Sequence, residues 1–191
     1  MALAKATQER VGVGIEIVAR WFAYTGGLIL ACMAVMTVVS IIGRSAFSQG
    51  IPGDYELVEH GCALAVFLFL PLCQLKRGHV TVDILVDAFP ARIKALFGFL
   101  GDLLIAVAAV VILRQFWFGF GEKVPFGSDA VRNALGMGYK PFFPETTYEL
   151  EIPIWMLYGA ALLGAVLFVI VSLYTVWRSL NWVLDGREGT L

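Results

Sequence analysis

Four apolar stretches, nearly free of charge, constrain this chain more than anything else in it. They run from about 21 to 43, 57 to 75, 96 to 118 and 154 to 177. A hydrocarbon layer about 30 Å thick takes about 20 helical residues to cross, and lipid offers no partners to open backbone groups. Each stretch is therefore predicted to be a membrane-spanning helix. Composition agrees. Hydrophobic residues make up 59% of the 191 and charged residues 15%, with a mean hydropathy of +0.81. Soluble domains have about 45–50% apolar and about 25% charged residues. The predicted fold class is an all-α membrane protein, a single membrane domain of four transmembrane helices.

An even number of spans puts both termini on one side, and positive charge selects that side. With the termini inside, segments 1–20, 76–95 and 178–191 hold nine Lys and Arg, against five in 44–56 and 114–153. Both termini are therefore predicted to be cytoplasmic. Trp21, Trp117, Trp155, Trp177 and Trp182 all fall at span ends, where indole rings sit at headgroup depth. The first 20 residues include Glu9, Glu16 and Arg20 and lack a clean apolar core, which argues against a cleavable signal peptide. Val11, Ile15 and Val18 recur at helical spacing, predicting an amphipathic lead-in at the membrane surface.

The connections carry their own signals. Pro52-Gly53 reads as a turn, Asp54 as the N-cap of the second span, and Glu56 as a first-turn carboxylate suited to the helix dipole. Between the second and third spans, Val80, Ile84 and Val86 to Phe89 alternate with Asp83 and Asp87. That spacing predicts a short amphipathic interfacial helix, after which Pro90 begins the third span. The outer loop, about 119–153, is the largest soluble part. Ser128 to Leu135 reads as a short helix stopped by Gly136, and a loop of this length is expected to serve as a periplasmic contact surface.

Candidate chemistry is sparse. A net charge of −1 gives no field for nucleic acid. Cys32, Cys62 and Cys73 lie within apolar runs without a CxxC pair and read as small hydrophobes. The two histidines, His60 and His79, are separated by roughly 28 Å of helix, too far for one haem. Glu56, Glu59 and His60 share a helix face. They suit a cation or a basic group on a partner, or equally a solvated cluster; a metal site is not expected. Asp102 and Arg114 are intramembrane charges. Arg114 can snorkel, whereas Asp102 is deep enough to need a partner. Pro71 should kink the second span and free the Phe67 carbonyl. Gly26-Gly27, Gly98 and Gly101 should allow close helix packing. Paired interrupted helices, which build transporter substrate sites, are missing from the pattern. No catalytic residue and no cofactor is expected, and the chain is not expected to transport anything alone. A membrane-anchor subunit of a redox enzyme is the alternative, and a self-sufficient small channel comes third.

Arg44 after the first span, Glu56 opening the second, the exit Gly78-His79-Val80-Thr81-Val82-Asp83, Pro90, and the entry Ile152-Pro153-Ile154-Trp155 follow one another in a specific order. This pattern resembles the small membrane subunit of the tripartite ATP-independent periplasmic (TRAP) transporters, over about residues 16 to 180. The resemblance implies a non-catalytic scaffold in the bacterial inner membrane. Its partners would be a large elevator-type membrane subunit, which binds substrate and sodium, and a periplasmic substrate-binding protein. Typical substrates are organic acids such as C4-dicarboxylates. Arg44 and Glu56 would support the periplasmic end and His79 with Asp83 the cytoplasmic loop; Glu59 and Asp102 complete the interface candidates. The small-residue faces of the third and fourth spans would pack on the large subunit.

Overall fold

A computed structural model describes residues 5–78 and 90–185. The described residues form five helices: α1 (Lys5–Phe47), α2 (Asp54–Leu75), α3 (Ala91–Lys123), α4 (Asp129–Leu135) and α5 (Ile154–Asp185). Four of these, α1, α2, α3 and α5, are long and apolar enough to cross a membrane. All four predicted spans are present, and each helix outlasts its apolar stretch because charges end a hydropathy window without ending a helix. The predicted interfacial helix, with His79 and Asp83, lies outside the described residues.

Neighbour relations give the order α1, α2, α5, α3, with only marginal contact between α1 and α5. The helices thus form an open layer in which α5 is the most enclosed. Its buried positions mix small residues, Ala161, Gly164, Ala165, Ser172, Thr175 and Ser179, with the larger Leu162, Leu167, Phe168 and Val171. On α3, Ala106 and Ala109 are buried as well. Much of the small-residue face of the third and fourth spans is therefore taken up by packing within the chain, while Gly101 faces open space. Outward faces are otherwise large and apolar, including Leu28, Val35 and Ile42 on α1 and Leu104, Val107 and Val111 on α3.

Two glycines lie where one helix meets the backbone of another. A Cβ on Gly164 would lie 2.5 Å from the Phe67 carbonyl oxygen. That is the carbonyl which Pro71, inside α2, deprives of its helical donor. The α5 backbone covers this carbonyl, so the site is structural. At Gly26 a Cβ would sit 3.2 Å from Leu68 and 3.3 Å from the Ala65 carbonyl, where α1 crosses α2. Gly27 and Gly101 face open space instead.

The predicted surface lead-in is not separate from the first span. Residues 5 to 20 continue α1 without a break, giving 43 residues in all. Their packing explains it. Ile15 and Phe22 pack on Leu75, Leu167 and Val171, the Tyr174 hydroxyl donates to the Gln8 carbonyl, and Gln8 meets Asn181. Lys5 pairs with Asp185 at 2.5 Å, bringing the two ends of the described chain together.

Candidate functional site

Polar side chains concentrate at the two ends of the layer. At the loop end, α1 runs into a tight connection and α2 starts again at Asp54. Gly53, in the left-handed region at φ 70°, occupies the cap position. The expected Asp54 N-cap is not made. The carboxylate turns back to α1, accepting from the Ser40 hydroxyl at 2.5 Å and from Arg44. Ser40 in turn accepts from the Ile51 N–H. Two residues further on, Glu56 accepts from the N–H groups of Glu149 (2.6 Å) and Leu150 (3.1 Å). Glu149 returns the contact by accepting from the Gly53 N–H at 2.6 Å. The start of α2 and the chain entering α5 are thus clasped by reciprocal carboxylate–backbone bonds, the stronger charge-assisted kind. Beside them lies an open cleft of about 760 Å³ lined by Arg44, Ile51, Asp54, Tyr55, Tyr148 and Glu149.

The long loop has its own organising residue. Arg132, on α4, is 1% exposed and donates to six backbone carbonyls: those of Gly121, Val124, Phe126, Met137, Gly138 and Tyr139. No carboxylate pairs with it among the described residues. Its charge rests on the carbonyl-rich C-terminal ends of α3 and α4, where helix dipoles favour a cation. Lys123–Glu145 (2.5 Å) and Trp117 donating to the Leu135 carbonyl fasten the loop to α3. The folded loop still presents Tyr139, Phe142, Phe143 and Tyr148 to the outside, at 77–98% exposure.

At the terminus end the polar groups are buried between helices. Asp102, 5% exposed, accepts from the Gln74 amide at 3.2 Å and from Arg77 at 3.1 Å. Gln74, 1% exposed, also donates to Thr175 on α5 at 2.9 Å. The predicted partner of Asp102 thus exists within the chain. Arg77 adopts φ 51°, a left-handed conformation that ends α2 while the Gly78 N–H bonds the Cys73 carbonyl. Nearby, Arg178 donates to the Leu75 carbonyl. Lys76 and Arg20 both meet Glu16.

The whole chain was compared with known proteins. The family model described as "Tripartite ATP-independent periplasmic transporters, DctQ component" matches residues 33–181. The chain belongs to this DctQ family. No curated protein and no solved structure matches it significantly. As a DctQ chain it is a multi-pass membrane component of a tripartite transporter.

The candidate residues of this DctQ chain do not form one site. Arg44 and Glu56 lie at the loop end in separate contacts, to Asp54 and to the 149–150 backbone. Glu59 is exposed, and His60 turns its Nδ1 to the Glu56 carbonyl at 2.7 Å. The shared face of Glu56, Glu59 and His60 is therefore divided among different neighbours, and no metal-holding group occurs among the described residues. Asp102 lies at the opposite end, and His79 and Asp83 are outside the described residues. Sequence reasoning missed Gln74, Arg77 as the partner of Asp102, and Arg132. Gln74 carried a signal: a lone amide near the end of an apolar span needs a polar neighbour. Arg132 carried none, because its six partners are backbone atoms.

Proposed function

We propose that this chain is the accessory scaffold subunit of a secondary-active, sodium-driven importer of organic acids. It holds the large elevator-type membrane subunit and helps to dock the periplasmic substrate-binding protein. In this reading the loop end faces the periplasm and both termini face the cytoplasm of a bacterial inner membrane, with sodium bound by the large subunit. The observation carrying the proposal is that α2, α3 and α5 are joined to one another by buried side-chain and backbone contacts. The Gln74–Asp102–Arg77 network and the Gly164–Phe67 contact join these helices, and among the described residues each of the four long helices runs unbroken. Such a layer suits a static support. The family membership supplies the transporter, and the exposed aromatic loop beside the cleft supplies a contact surface.

Co-purification is the test. The chain should carry the large subunit encoded with it through purification in mild detergent, and liposomes holding both should need the binding protein for uptake. Uptake by liposomes containing this chain alone would sink the scaffold reading.

A further inference from the structure

We propose that Arg178 and Arg77, stacked on Trp182, hold the phosphate of an anionic phospholipid headgroup at the terminus end. Two guanidinium groups converge here on a single carboxylate. Arg77 pairs with Asp102. Arg178 has the Leu75 carbonyl and the ring faces of Tyr174 (5.9 Å) and Trp182 (5.2 Å), and no carboxylate among the described residues. Arg77 also lies over Trp182, at 4.7 Å. The Nε of each arginine is buried without a hydrogen-bond partner. A half-buried guanidinium that faces no carboxylate is costly, and an anion at its exposed edge relieves that cost.

Depth and local charge identify the anion. Arg178 follows Trp177 directly and Trp182 lies one turn on, and indole rings mark the headgroup layer. An oxyanion at that depth is a lipid phosphate, and a guanidinium fork matches its geometry. Among the described residues this end carries eight Lys and Arg against Glu9, Glu16, Asp102 and Asp185. Three of those four are already paired, Glu16 with Lys76 and Arg20, Asp102 with Arg77, and Asp185 with Lys5. A zwitterionic headgroup would bring an ammonium into this basic surrounding, so the anionic diester is favoured.

The test uses the full-length protein in detergent, titrated with phosphatidylglycerol, phosphatidylethanolamine or glycerol 3-phosphate and read by native mass spectrometry. Phosphatidylglycerol should bind selectively, and Arg178→Gln should weaken it about fivefold, the effect of one arginine near an anionic surface. Arg178→Lys should recover part of the loss, which keeps the test valid if the glutamine variant folds poorly. Arg10→Gln, a charge removed elsewhere at the same end, should leave binding unchanged. Equal phosphatidylglycerol binding by the wild type and Arg178→Gln overturns the site. Equal competition by glycerol 3-phosphate overturns the lipid as the source and assigns a soluble phosphate ester.

Discussion

The two ends of the layer are tied by different kinds of bond. At the loop end, carboxylates reach backbone N–H groups or a half-exposed arginine: Glu56 to residues 149 and 150, Asp54 to Ser40 and Arg44. At the terminus end, Gln74, Arg77, Asp102 and Thr175 bond side chain to side chain between three helices, largely out of reach of solvent. Water can replace a lost partner readily at the first end, whereas at the second only Arg77 is partly exposed. Comparable sets of bonds therefore resist change unequally, and single substitutions measure the difference.

The largest effect is expected from Asp102→Ala, which strands Arg77 and half of the Gln74 amide. Breaking one side of a buried pair costs about 3–5 kcal/mol. The midpoint of thermal unfolding in mild detergent should fall accordingly, and the double variant Asp102→Leu with Arg77→Met should recover much of the loss. An Asp102→Ala protein as stable as wild type would break the contrast between the ends. Arg132→Gln challenges the contrast from the other side, because Arg132 is buried at the loop end. Hydrogen bonds to a charged group are each worth about 1.5–3 kcal/mol, so limited proteolysis between 124 and 139 should accelerate strongly while the four long helices stay protected.

Glu56→Ala is expected to act more locally. Amide exchange at Glu149 and Leu150 should speed up, with little change in the unfolding midpoint. Arg44→Gln should do least. Its pair with Asp54 is half exposed on the arginine side, and exposed pairs are weak and screened by salt. Any destabilisation should be measurable at low ionic strength and vanish near 0.5 M salt, where the Debye length is only about 4 Å. A salt-independent loss would place Arg44 with the buried groups.

Sequence revealed the elements better than their arrangement, for physical reasons. The spans were legible because lipid imposes a length and an uncharged composition on each. Helix α4 was legible from Ser128, whose hydroxyl accepts from the Val131 N–H, and from Gly136 at φ 65°. Gly27 and Gly101 show the limit. They carry the same small-residue signal as Gly26 and Gly164 but face open space, because a glycine in sequence does not say which face meets a neighbour. The need of Asp102 for a partner was legible from the cost of a bare charge in lipid. That the partners would be Gln74 and Arg77 depended on how α2 and α3 come together around α5. Arg132 was illegible because backbone carbonyls, unlike carboxylates, leave no trace in the residue letters.

Helix α1 has a mechanical consequence. It is 43 residues long, about 65 Å at the helical rise, and it is fastened near both ends, Lys5 to Asp185 and Arg44 to Asp54. Packed along α2 and bonded to α5 through Gln8, which meets Tyr174 and Asn181, this rod tilts or shifts only together with its neighbours. A mismatch with the bilayer that the layer does not take up as a whole is left to the lipid, which stretches or thins around the protein at a fraction of a kcal/mol per Å.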